Sequence, residues 1–490
     1  MSAVSGGGSK RYNASSQPRG NTVEVFGVDS NTFARVQFAF TISFHIIFPA
    51  FTIGLSAFIA TLELTWLRTR REHYHLLARF WTKVFAVSFA MGVVSGIAMS
   101  YQFGTNWSRF SEVVGNVIGP PMGYEVLTAF FLEATFLGVM LFGWNRVPPW
   151  LHVLSSVVVA AGTCLSAFWI LSANSWMHTP AGFEMRDGIA YPVDWSQIIF
   201  NPSFPYRLAH MLIAAYLTTA LVVLSVGARY RVARRFDPEA RTMIRMGLGA
   251  LLLLAPLQLF VGDLHGLNTA EYQPAKIAAM EGHWESDRPG DLLLFAWPDM
   301  KKEKNHLEIG IPRGASFLIT HDADGLFPGL KDFAPEDRPG VTRVFFAFRL
   351  MVGIGLTVIA AALAGGWLWW RRRLFDSPRY LKLVGYGWPL GFIAIISGWI
   401  VTESGRQPWV AHGILRTADA SSPVSAGVVA TSLALFVIVY GVVFSIGILF
   451  IRSMLRKGPV PAATARPPED ALANRPLAMA ESAMRGERGP

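Results

Sequence analysis

Apolar residues dominate nine stretches of the chain, near 36–66, 82–102, 124–144, 151–173, 206–227, 243–262, 344–370, 383–402 and 425–451. A helix rises about 1.5 Å per residue, so about 20 residues cross a hydrocarbon core of roughly 30 Å. The pattern predicts an all-α integral membrane protein with about nine transmembrane helices arranged as helical bundles. The polar links differ in charge. RTRREHYHLLAR (68–79), ARYRVARRFDPEAR (228–241), RRRLFDSPRYLK (371–382) and RSMLRK (452–457) are dense in Arg and Lys, whereas 103–122 holds only Arg109 and 175–204 only Arg186. Cytoplasmic links carry the basic excess, and an alternating path puts all four basic links on one side. The amino terminus is therefore expected outside and the carboxyl terminus in the cytoplasm, although Lys10, Arg11 and Arg19 then lie on the outer side. The longest polar segment, 262–342, falls outside the membrane and is punctuated by prolines such as Pro274, Pro298 and Pro328. A loop of that length between membrane helices is expected to be a functional cap.

Composition agrees with a membrane chain, since 52% of the residues are hydrophobic and only 16% charged. The formal charge of +10 does not point to nucleic acid, because Lys and Arg sit in short clusters between apolar runs. The single cysteine, Cys164, lies inside an apolar run and excludes a disulfide framework, a CxxC redox pair and a CxxCH haem attachment site. Residues 1–32 are expected to form a flexible extension and 458–490 a disordered tail, leaving 33–457 as the membrane domain.

An ionisable side chain at membrane depth costs about 2.5 kcal/mol or more to insert, so each is a functional candidate. The notable ones are His45, His210, Glu125, Glu133, Arg349 beside Met351, and Glu403. All fall in the outer half of the membrane: His45 lies nine residues into the first inward-running span, about 13 Å down, and Glu403 ends the outward-running eighth. Imidazole and thioether are good axial ligands for haem iron, and haem propionates need cations and donors near the surface. Arg349 has that chemistry, as do Arg406, Gln407 and Trp409 in VTESGRQPWVAHG (401–413). Taken singly, each residue also fits ordinary packing. A lone intramembrane His is often structural, Met is more often core than ligand, and Glu125 and Glu133, about 80° apart around an ideal helix, could simply pair with arginines. Spacing leaves both readings open. A haem–copper oxidase or a diheme cytochrome b needs more histidines than His45 and His210 near the outer layer and His152 at an inner edge. No HExxH motif supports zinc hydrolysis. A cofactor-free transporter using the same acidic groups would be expected to carry internal repeats, and no clear repeat is visible.

Four motifs then carry a resemblance: GRQPW (405–409), YQFGTNWS (101–108), FAFRLM (346–351) and AFFLEATF (129–136). With them the chain, from about Phe33 to Lys457, resembles subunit I of cytochrome bd quinol oxidase, in the short-loop branch that includes the cyanide-insensitive oxidases. The resemblance implies a terminal oxidase of the bacterial cytoplasmic membrane. It would oxidise ubiquinol or menaquinol, reduce O2 to water through three haems, and generate proton-motive force without pumping. His210 and Met351 match the axial ligands of the low-spin haem b, with Arg349 beside them. His45 and Glu403 match ligands of the two high-spin haems, one haem b and the other haem d or a second haem b. Trp399 matches an aromatic between the haems, and Glu125 and Glu133 the acidic pair of proton delivery at the oxygen site. Lys276 and Glu281, in KIAAME (276–281), match the quinol-binding pair, while GDLHGLN (262–268) departs from the long-loop version. The implied partners are a homologous subunit II, a small single-span subunit and the lipid bilayer, with no nucleic acid.

Overall fold

A computed structural model describes residues 24–286 and 289–460. The expected tail, apart from its first residues, and most of the expected extension lie outside the described residues. Among the described residues, eight helical spans are long and apolar enough to cross a membrane, and a pair bent by 41° supplies a ninth if counted as one. This matches the expectation from hydropathy. The first span consists of α1 (Ser30–His45) and α2 (Ile47–Thr69), followed by α3 (Glu72–Thr105). The third span joins α4 (Ser108–Tyr124), a π-helical turn (Glu125–Phe130) and α5 (Phe131–Phe142), and α6 (Pro149–His178) is the fourth. After the short α7 (Trp195–Ile199) come α8 (Phe204–Val232) and α9 (Asp237–Tyr272), and then α10 (Pro274–Glu281) and α11 (Gly314–Thr320) in the long loop. The chain ends with α12 (Val341–Trp370), the bent pair α13 (Pro378–Gly385) and α14 (Trp388–Arg406), and α15 (Ala426–Lys457). Three antiparallel hairpins cap the bundle: β1 (Phe183–Arg186) with β2 (Ile189–Pro192), β3 (Leu292–Asp299) with β4 (Lys304–Ile311), and β5 (Trp409–Ala411) with β6 (Leu415–Arg416).

Local sequence explains the interruptions. Pro49 has no N–H to offer the carbonyl of His45 four residues back, and the first span breaks between α1 and α2 at Ile46. Pro120 and Pro121 lie inside α4 and weaken the hydrogen-bond ladder just ahead of the π turn. Hydropathy places the end of the sixth span near 262, but α9 continues to Tyr272. His265, Asn268 and Thr269 therefore belong to a membrane helix and not to the loop.

One core joins α2, α3, α6 and α8 through residues such as Leu55, Trp81, Phe85 and Val223. A second joins α8, α9, α12 and α13 through Leu224, Leu248, Ile354 and Leu381. Helix α8 is shared, and it is wedged by glycine contacts on two sides. A Cβ on Gly54 of α2 would stand 2.8 Å from the Ala215 carbonyl oxygen, and one on Gly391 of α14 would stand 2.7 Å from Thr218 Cα. Tyr230 donates to the Leu455 carbonyl at 2.5 Å, and Arg229 to that of Gly385 at 2.7 Å, so the basic links cluster at one end of the bundle. The long loop between α9 and α12 caps the opposite, loop end. Adding one methyl at Gly54 (Gly54→Ala) is expected to destabilise the protein by about 1–3 kcal/mol through overpacking. A lowered unfolding temperature of the purified protein is the readout.

Candidate functional site

At the loop end, α6, α8, α10 and α14 bring a dense polar cluster into the interior. Glu403, near the end of α14, accepts from Asn174 Nδ2 at 3.0 Å and pairs with Arg406 one turn on. His178, at the end of α6, brings Nε2 to 4.0 Å from the same carboxylate. Arg207, on the first turn of α8, is held by Ser203 Oγ at 3.2 Å, and Lys276 donates to the Thr402 carbonyl at 3.4 Å. Arg207, Arg406 and Lys276 are all buried, at 6%, 5% and 4% exposure. Burial, reinforced by Arg207, holds the Lys276 ammonium well below its usual range. The two guanidiniums of Arg207 and Arg406 thus share one carboxylate with Lys276 beside them, and among the described residues the Nε and Nη1 atoms of Arg406 are buried with no partner.

The sequence singled out Glu403, Arg406 and Lys276 in this cluster but missed Arg207, Asn174 and His178. Arg207 was detectable by the same membrane-depth rule that flagged His210, three residues on. His178 lies at the very end of its apolar run and gave little signal. His265, on the unexpected extension of α9, faces His210 edge-on with ring centroids 5.6 Å apart. His265 Nε2 and His210 Nδ1 are both buried without a partner among the described residues.

The three expected axial side chains from α1, α8 and α12 each face a glycine on a neighbouring helix. Cβ atoms added to Gly96, Gly262 and Gly398 would lie 3.1 Å from His45 Cε1, 3.3 Å from His210 Cε1 and 3.1 Å from Met351 Sδ. His45 Nδ1 is fixed by Ser95 Oγ at 3.0 Å, which aims the ring and leaves Nε2 to serve as a ligand. Trp399 packs against the cluster formed by Ile46, Ala50 and Ile395.

Glu125 and Glu133 face the same strip of α6. Ser166 Oγ donates to Glu125 Oε1 at 2.7 Å, and one turn below, a Cβ on Gly162 would stand 2.9 Å from Glu133 Cγ. The intervening π turn corrects the 80° offset expected of an ideal helix. A residue absorbed in the π turn sets the following helix back by about 100°, which leaves the two carboxyl groups within about 20° of each other. Glu133 is 6% exposed, and its Oε1 has no partner among the described residues.

Lys276 and Glu281 leave α10 in different directions. Lys276 reaches α14, whereas Glu281 pairs with Arg349 of α12 at 2.6 Å, and Arg349 also donates to the Leu293 carbonyl at 2.6 Å. A cavity of about 350 Å³ opens on the Lys276 side, lined by Gln273, Phe333, Arg406, Gln407, Trp409 and His412. Burial, with Arg406 and Lys276 nearby, lowers the pKa of His412. At the basic end, Glu63, which the sequence reading missed, forms a second buried group with His152. Glu63 Oε2 accepts from Ser156 Oγ at 2.8 Å and meets His152 Nδ1 at 3.0 Å, with Trp144 over the imidazole at 3.9 Å.

The sequence profile of a family described as cytochrome bd terminal oxidase subunit I matches residues 33–459. The chain belongs to this family. It is 37% identical to the cytochrome bd ubiquinol oxidase subunit 1 of Bacillus subtilis (strain 168), over 86% of this chain and 92% of that one. Identity is 32% to the cytochrome bd-II ubiquinol oxidase subunit 1 of Escherichia coli (strain K12), over 87% of this chain and 96% of that one. The solved bd oxidase of Geobacillus thermodenitrificans has the same fold, with a TM-score of 0.82 at 31% identity, covering 88% of this chain and 100% of that one. This cytochrome bd subunit I is therefore a subunit of a terminal respiratory oxidase.

The Glu281–Arg349 pair yields a test. With Glu281 and Arg349 side chains only 7% and 16% exposed, Glu281→Ala strands a guanidinium and is expected to cost about 3 kcal/mol. Denaturant unfolding of the complex measures the loss, and Glu281→Asp should restore part of it.

Proposed function

We propose that the chain carries the haems of a quinol oxidase that reduces O2 to water, with the loop end facing outside and the basic end in the cytoplasm. The observation that carries this reading is the excess of buried positive charge at Arg207 and Arg406 over the paired carboxylate of Glu403. Buried charge without a counter-charge is strongly unfavourable, so the site calls for an anionic group, and haem propionates supply one. The unpartnered ring nitrogen of His210 and the glycine clearances at His45, His210 and Met351 fit a flat macrocycle lying among these helices.

His210 and Met351 would hold a low-spin haem b. His45 and Glu403 would hold two high-spin haems, one haem b and the other haem d or a second haem b, with Trp399 between. Arg349, Arg406, Gln407 and Trp409 would bind propionates. When bound, the haems supply one-electron transfer and an iron at which O2 is reduced. Glu403 would exchange part of its pairing with Arg406 for that ligand role. The length of the cap between the end of α9 at Tyr272 and the start of α12 at Val341 favours the short-loop branch.

The remaining steps belong to this chain's own groups. Lys276 and Glu281 lie on the cap and suit recognition of a quinol head group, Lys276 from the cavity side and Glu281 through its carboxylate. The names of the relatives favour ubiquinol, and a third relative, a putative cytochrome bd menaquinol oxidase subunit I from Bacillus subtilis at 31% identity, keeps menaquinol in view. Protons released at the cap leave on the outer side. Glu125 and Glu133 line one strip of α6 and carry protons from the cytoplasmic side toward the loop-end cluster. Each proton crossing the field is worth about 2.3 kcal/mol per 100 mV, so charge separates without a pump. A homologous subunit II and a small single-span subunit would complete the complex in the bacterial cytoplasmic membrane.

The test is the visible spectrum of the purified, dithionite-reduced complex. His210→Ala and Met351→Leu are each expected to abolish or shift the low-spin haem band, and an unchanged band would refute the assignment. Glu133→Gln is expected to slow O2 reduction at least tenfold while quinol still reduces the low-spin centre. Stopped-flow absorbance separates the two rates, and equal loss of both would refute the division of labour.

A further inference from the structure

The loop-end hairpin exposes more apolar surface than a water-facing cap tolerates. Leu294, Trp297, Leu307, Ile309 and Ile311 are 52%, 56%, 79%, 62% and 49% exposed. Phe295 stands directly opposite Ile309 in the ladder, and Leu292 opposite Ile311, so the apolar side chains form one patch across both strands. The turn between the strands, residues 300–303, carries Lys301, Lys302 and Glu303, with Lys304 opening β4. An exposed patch of this kind marks a contact surface.

The patch is continuous with the membrane-facing side of the bundle. The rings of Phe295 and Trp297 lie 6.1 and 5.7 Å from that of Phe346, six residues into α12. From Phe346 an exposed apolar stripe runs down α12 through Leu350, Leu356, Leu363 and Trp367. The far end of α12 is marked by Trp367, Trp369 and Trp370 followed by Arg371, Arg372 and Arg373, the aromatic and basic signature of one membrane–water interface. Counting back about 20 residues for a core of roughly 30 Å places the other hydrocarbon boundary near position 348. Phe346 then lies just beyond it, in the headgroup layer, and the hairpin's aromatics lie beside it.

We propose that the β3–β4 hairpin rests on the bilayer itself, with Phe295, Trp297, Ile309 and Ile311 seated in the interfacial layer of the loop-end leaflet and its basic turn in water. The occupant is lipid, because the patch extends the lipid-facing stripe of α12 and ends in the aromatic side chains that prefer the headgroup level. The cap thus borders directly on the phase that dissolves lipid-borne reductants. This placement goes beyond the oxidase reading and is tested without any activity measurement.

The experiment uses the assembled complex in phospholipid nanodiscs with the single cysteine of this chain removed (Cys164→Ser), the parent serving to reveal any label taken up by companion subunits. Nitroxide labels are attached at Ile309→Cys, at Leu356→Cys as the lipid reference and at Lys302→Cys as the water reference. Power-saturation EPR then compares collisions with O2 and with a water-soluble nickel chelate. The expected result is an O2-to-nickel accessibility ratio at Ile309→Cys several-fold above that at Lys302→Cys and approaching that at Leu356→Cys. A ratio equal to that at Lys302→Cys would put the hairpin in water and overturn the proposal. Exclusion of both reagents would show a protein cover, which overturns it equally. If Ile309→Cys fails to assemble, Leu294→Cys reads the same face.

Discussion

The loop-end cluster is governed by the cost of keeping positive charge out of water. Arg207, Arg406 and Lys276 are buried together, with Glu403 the carboxylate directly paired there. Several kcal/mol per unpaired ion is the penalty such a cluster would carry without an anionic guest. Three membrane helices and the loop helix α10 converge to hold these side chains in place; Ser203 and the Thr402 carbonyl accept from Arg207 and Lys276, and Asn174 donates to Glu403. The protein scaffold is thus arranged around charges that it does not itself neutralise. Membrane association and helix packing supply the stability that such a cluster would drain from a small soluble domain.

Helix irregularities set where functional side chains emerge. The break after His45, imposed by Pro49, frees the end of α1 to turn its imidazole toward α3, where Ser95 fixes it. The π turn ahead of α5 rotates Glu133 under Glu125, so that a single strip of α6 serves both. Glu403 and Arg406 sit one turn apart at the end of α14, where backbone groups no longer close the helix and side chains take over. In each case a departure from regular geometry aligns a polar group with a partner on another element.

Much of this architecture was legible in the sequence, because apolar length and Lys/Arg placement obey strong constraints in a bilayer. His45, His210, Glu125, Glu133 and Glu403 stood out because ionisable groups in apolar runs are costly. The end of α9 was not legible, since hydropathy reads His265, Asn268 and Thr269 as loop when tertiary contacts keep them helical. The facing of the two glutamates was hidden because the π turn has no composition signature of its own. KIAAME suggests a pair acting together, yet only the structure shows Lys276 and Glu281 serving different neighbours. The apolar hairpin face was lost inside a segment whose mean character is polar.

That divergence at α10 makes the cap unforgiving in length. The helix is eight residues long, closed by Gly282 in the left-handed conformation, and it is pinned at both ends by side chains that reach separate helices. Insertion of one residue between them would swing Glu281 by about 100° about the axis and carry it off Arg349 while Lys276 stayed put. Surface loops ordinarily tolerate insertions and deletions, but in this stretch natural variants should exchange residues freely only where spacing is kept.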